Sequence, residues 1–117
     1  PRVLNGERVE EIAGGDHPCD FTYVIDLAEA LVAAALAERL PNAVYNVTGG
    51  VLRTRGEFAD AVRALVPGAQ IVQAPGIDPA RHLRGACRLD RARADFGWQP
   101  RFGMNAGLAD WQRRLAG

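Results

Sequence analysis

The chain has 117 residues and a mass of 12.6 kDa, enough for one modest core built from the 48% of residues that are apolar. Fourteen acidic residues balance fourteen basic ones, which argues against the net positive field of a general nucleic-acid or anionic-membrane surface. Every basic residue is arginine, so the chain has no lysine for catalysis, and it has no serine to act as a nucleophile.

Cys19 and Cys87 are too few and too far apart for a zinc knuckle or a disulfide framework. With no targeting pattern at the N-terminus, two free thiols in a reducing cytoplasm are the expectation. The longest apolar run, Leu31 to Ala37, is far short of a membrane span.

Taken in chain order, Arg8 to Ala13 reads as a poor strand, an edge or a loop arm, and Gly14 to Pro18 as a turn. Phe21 to Ile25 has the alternation and β-branching of a short strand. Asp26 then stands as an N-cap with Glu29 three residues on, opening a helix to about Leu40 that stops before Pro41. Its expected buried stripe is Leu27, Leu31, Ala34 and Ala35. Val44 to Val47 reads as a strand closed by Thr48-Gly49-Gly50. Thr54 and Glu57 form a capping box ahead of a helix whose Phe58, Val62, Leu65 and Val66 share a face, ended by Pro67-Gly68. Ala69 to Ala74 is a third strand, and Pro75 to Arg88 is irregular. Asp90 caps a short helix to Phe96 with Gly97 as its stop. A last helix, Met104 to Leu115, aligns Met104, Leu108, Trp111 and Leu115, and Trp98 and Trp111 are the expected core anchors. Strands alternating with helices indicate an α/β fold in a single unit spanning residues 1–117.

Three stretches in this order resemble a known family: Asp20, Phe21, Tyr23, Val24 and Asp26; then Tyr45, Asn46, Val47, Gly49 and Gly50, with Glu57 following; and finally Asp90, Ala94, Phe96, Gly97, Trp98 and Pro100. They are similar to the C-terminal part of the extended short-chain dehydrogenase/reductases, the NAD-dependent epimerases and dehydratases. The resemblance implies an incomplete Rossmann-like parallel sheet with flanking helices, the substrate side of an oxidoreductase acting on a sugar nucleotide or a related hydroxyl compound.

Two positions depart from the family pattern. Cys19 stands where many relatives carry an arginine associated with the substrate diphosphate, and a thiol cannot match that planar fork. Ile25 replaces the first of a usual aspartate pair. The family's glycine-rich turn and its Tyr-x-x-x-Lys pair lie upstream of the segment that this chain resembles. The resemblance therefore implies NAD or NADP for a full-length relative and none for this chain alone. It also implies a partner: the missing N-terminal dinucleotide-binding half, or another copy bound through exposed apolar surface.

Candidate substrate contacts are Arg84, Arg81 and Asn46. Arg81, Arg84, Arg88, Arg91 and Arg93 crowd one stretch beside His82, and read either as an anion-binding wall or as an exposed basic loop. In the family an arginine before the Gly-Trp helix reaches a substrate phosphate, which implies Arg84 here. Arg91 and Arg93 read as partners of Asp90 and Asp95. Asn46, at a strand end, reads as lining a cleft or as bonding backbone. His17 and His82 lack a spacing for metal, and Cys19, preceding an acidic residue, reads as a packed thiol. The alternative function is a non-catalytic binding or assembly module that keeps the family packing.

Overall fold

The computed structural model describes residues 2–11 and 13–116. Along them run β1 (Val9–Glu11), β2 (Pro18–Asp20), α1 (Val24–Leu36), β3 (Leu52–Thr54), α2 (Arg55–Leu65), β4 (Ile71–Gln73), α3 (Asp90–Phe96) and α4 (Met104–Ala116). The fold is α/β. The chain divides into two compact units, one drawn from residues up to Cys19, Arg53–Arg84 and Leu108 onward, the other from Asp20–Leu52 and Gly85–Gly107.

In the first unit β1 pairs in parallel with β4, Val9 opposite Ile71 and Glu11 opposite Gln73. Of the readings for Arg8 to Ala13, the strand is the one found, over Val9–Glu11; Ile12 lies outside the described residues. β2 and β3 form a second two-stranded pair. Helix α2 opens on the full capping box: Thr54 Oγ1 accepts from the Glu57 amide at 3.1 Å, and Glu57 Oε2 accepts from the Thr54 amide at 2.6 Å. The helix lies against β4, where the Arg63 guanidinium donates to the Ile71 carbonyl at 2.7 Å. Its C-terminal Leu65 carbonyl accepts from the Gln112 side chain at 2.9 Å, which satisfies one of the oxygens a helix end leaves open.

The second unit packs α1 on α3 around Ala30, Ala92 and Trp98, with Tyr45, Val47, Leu89 and Phe96 at the margin. Ala30 and Ala92 are small enough for the two helices to approach closely, and Trp98 fills the space beside them. Its indole Nε1 donates to the Asp26 carbonyl at 3.1 Å, giving the buried ring the partner its N–H requires. Gly97 ends α3 in the left-handed region at φ 69°, a conformation that suits glycine.

Several sequence expectations are corrected here. Phe21 to Tyr23 is not strand, because the helix already begins at Val24; Tyr23 is the N-cap and Asp26 lies within the first turn. Asp26 is 2% exposed, and its carboxylate accepts from the Arg101 and Phe102 amides at 2.9 and 3.1 Å. It ties α1 to the chain after Trp98 and does not cap. The buried stripe of α1 is Asp26 and Ala30, with Ala33 at its edge, whereas Leu27 and Leu31 are exposed, Leu31 at 63%. The helix stops at Leu36, itself 80% exposed, where a further turn would bury nothing to offset its ordering. Val44 to Val47 carries no strand pairing among the described residues, and Ala69 to Ala74 shrinks to β4. Leu89, not Asp90, is the N-cap of α3, whose buried residue is Ala92. Trp111 is 39% exposed and anchors no core, while Leu108 of the same helix is buried.

Candidate functional site

In the second unit the Asp-Phe motif places Asp20 beside two segments distant in sequence. Asp20 Oδ1 accepts from the Gly50 amide at 2.8 Å; Oδ2 accepts from the Thr48 hydroxyl at 2.8 Å and from the Cys87 amide at 2.9 Å. The Thr-Gly-Gly turn fits there because its glycines carry no side chain. A Cβ on Gly49 would stand 2.4 Å from the Phe21 carbonyl oxygen, and one on Gly50, at φ 71°, would stand 2.8 Å from Leu89 Cδ1.

Asn46 precedes that turn on exposed backbone, and its amide donates to the Arg88 carbonyl at 3.2 Å. Of its two sequence readings the structure thus gives the backbone bond, made across the unit to a residue far along the chain. Below it Tyr45 packs edge-on to Phe96 with ring centres 5.1 Å apart. Its hydroxyl donates to Asp95 Oδ2 at 2.7 Å while accepting from the Asn42 amide at 3.0 Å. The Tyr45 bond first, then the Asn42 side chain, holds the Asp95 carboxyl below its ordinary value. Asp90 pairs with Arg88, not with Arg91 or Arg93 as the sequence suggested; Arg91 reaches the Val44 carbonyl at 3.4 Å.

Arg81 and Arg84 belong to the first unit, on the irregular segment after β4. That segment is fastened to the Gly-Gly-Asp turn: Gly15 donates to the Ala74 carbonyl at 2.8 Å, and the Gly76 amide to Asp16 at 2.7 Å. Half-buried Asp78 then meets Arg55 at 3.0 Å, passing over Gly14, where a Cβ would stand 2.8 Å from the guanidinium. The Ala80 amide above all, and Arg55 after it, keep the Asp78 carboxyl below its ordinary value. Arg81 also pairs with Asp78, at 3.5 Å. Arg84 is exposed and takes part in no ion pair among the described residues, so its guanidinium is open to an anion. The N-terminus of α2 offers less: the Arg55, Gly56 and Glu57 amides already donate to His17, Gly15 and Thr54.

Sequence reasoning put forward Arg81, Arg84 and Asn46 by residue type and place, read Asp26 as a cap, and gave no role of their own to the Asp20 and Asp95 carboxylates that organise this unit. His17, read in the sequence only as lacking a spacing for metal, is 3% exposed, and its Nδ1 has no hydrogen-bond partner among the described residues. No group of three metal-ligating side chains occurs among the described residues, nor any helix long and apolar enough to cross a membrane.

A GalE-like L-threonine dehydrogenase from Cupriavidus necator superposes on 97% of the chain with a TM-score of 0.80 and 27% identity. The chain matches part of an extended short-chain dehydrogenase/reductase enzyme. The part is limited: it spans 43% of the Cupriavidus protein. MoeE5, solved with UDP-glucuronic acid and NAD, is 28% identical and matches 97% of the chain with a TM-score of 0.78, over 40% of its own length. The UDP-glucose 4-epimerase of Thermotoga maritima, at 22% identity and a TM-score of 0.78, shares the fold over 99% of the chain and 38% of its own. No family model matches the sequence, and no curated protein matches it. Within this extended short-chain dehydrogenase fold, the Asp-Phe motif, the Thr-Gly-Gly turn and the Gly-Trp segment all fall in the second unit.

Proposed function

We propose that the chain is the substrate-side portion of an NAD(P)-dependent oxidoreductase of the epimerase/dehydratase type, competent only with a dinucleotide-binding portion. The observation that carries this is the superposition on 97% of the chain at 27% identity, against only 43% of the Cupriavidus enzyme. In such an assembly the cofactor would be NAD or NADP, taking hydride from a substrate hydroxyl. The chain itself would supply the substrate wall, with Arg84, Arg81 and Asn46 as contacts and an anionic small molecule as ligand.

The substrate is a sugar nucleotide or a related hydroxyl compound. Cys19, lacking a guanidinium, weighs toward a hydroxyl substrate without a diphosphate, such as the L-threonine named for the Cupriavidus enzyme. A second reading, a non-catalytic binding or assembly module, is favoured by the apolar face of α1, where Val24, Leu31, Val32 and Leu36 are each more than half exposed. Either the dinucleotide-binding portion or another copy of the chain covers that face.

Calorimetric titration of the chain with NAD, NADP and a uridine diphosphate sugar, repeated on Arg84→Ala, tests the assignment. The expected result is no NAD or NADP binding and weak anion binding that Arg84→Ala abolishes. Micromolar NAD binding by the chain alone would overturn the reading. Unchanged anion binding in the variant would remove Arg84 only.

A further inference from the structure

We propose that Asp20 is a positioning residue, whose carboxylate clasps the Thr48–Gly50 turn and the Cys87 segment into one wall through hydrogen bonds distinct from those around Trp98. What the wall is for rests on the function proposed above; the clasp does not.

The donors on Asp20 are two backbone amides and one hydroxyl, from residues 48, 50 and 87. Among the described residues no cation pairs with it. A carboxylate only accepts, and bonds to an ionised acceptor are roughly twice as strong as neutral ones, so this one group outweighs any other polar link between the segments. The missing side chains of Gly49 and Gly50 let the turn close against Phe21 on one side and Leu89 on the other. The Asn46 bond to the Arg88 carbonyl continues the same seam toward the residue assigned to substrate. Around the Trp98 core a different carboxylate, Asp26, accepts from the Arg101 and Phe102 amides, and the indole donates to the Asp26 backbone carbonyl. The two sets of hydrogen bonds share no member, although Leu89 packs against both Gly50 and the Trp98 core, so loss of one carboxylate is read first at its own amides.

Native-state amide hydrogen exchange on the whole 117-residue chain tests this with Asp20→Ala and Asp20→Asn. In Asp20→Ala the Gly50 and Cys87 amides should exchange about tenfold faster or more, while Arg101 and Phe102 keep their rates. Asparagine presents one acceptor oxygen and one donor nitrogen, so in Asp20→Asn one of the two amides should stay protected and the other lose protection. That asymmetry reports the carboxylate acting as a double acceptor, which mere packing would not produce. Unchanged Gly50 and Cys87 rates, or a joint rise at all four amides, would overturn the proposal. Should Asp20→Ala not fold, the Asn variant decides alone: both amides retained at wild-type rates refutes the clasp. A titration showing no ligand leaves these rates untouched, so the two readings fail separately.

Discussion

The Tyr45 hydroxyl donates to the same Asp95 oxygen that accepts from the Asn42 side chain, both at 2.7 Å. A carboxylate sharing two donors is favoured in its charged form, which is why Asp95 lies below its ordinary value of 3.8. A depressed folded-state pKa stabilises the fold above that value, and the contribution disappears as pH falls through the folded pKa. Tyr45→Phe should return Asp95 toward 3.8 and flatten the acid side of the stability profile. NMR titration of the carboxyl carbon reads this; an unmoved Asp95 would refute it.

Thr54→Ala should destabilise the chain by about 1 kcal/mol, the usual worth of an N-cap hydroxyl, measured by urea unfolding. The Glu57 carboxyl should nevertheless stay below its ordinary value. Its largest cause is the Thr54 backbone amide, which alanine retains. A Glu57 restored to its ordinary value would mean that the hydroxyl, not the backbone, holds the box together.

Gly14 and Gly68 both have positive φ, at 91° and 82°, but only Gly14 is crowded. Gly68→Ala should cost roughly 1–2 kcal/mol from backbone strain alone. Gly14→Ala should cost more, because its Cβ displaces Arg55 from Asp78. Paired unfolding curves give the difference, and equal losses would show that the ion pair shifts without penalty.

Should another copy of the chain cover the α1 face, as one of the occupants proposed above, placing glutamate at Leu27 and Leu31 together will weaken that association while leaving folding stability nearly unchanged, since both side chains are exposed. Sedimentation velocity over a concentration series checks this. An unaltered association state would move the contact away from α1.

What could be seen in the sequence was local. The Thr54–Glu57 box and the Gly97 stop each depend on neighbours within a turn or two, and each appears as expected; Trp98 is buried as its apolar setting suggested, though Ala30 and Asp26, which meet it, lie far along the chain. The Asp26–Glu29 spacing misled because it fits a cap and a first-turn residue equally well; burial against Arg101 and Phe102 decided between them. Leu27 and Leu31 form a correct apolar stripe, but periodicity cannot say what, if anything, lies against it. A strand is defined by its partner, so Val44 to Val47 kept its β-branched pattern without becoming one. Asp20 was legible only as a motif letter, because its three donors lie far along the chain.

The parallel register of Val9 with Ile71 makes the N-terminal arm dependent on a segment far downstream. Within this segment the β1–β4 ladder forms only once Ile71–Gln73 has been made and α2 lies against it. Closing so long a loop returns only one short ladder, so this pairing carries a high closure entropy for each bond it makes.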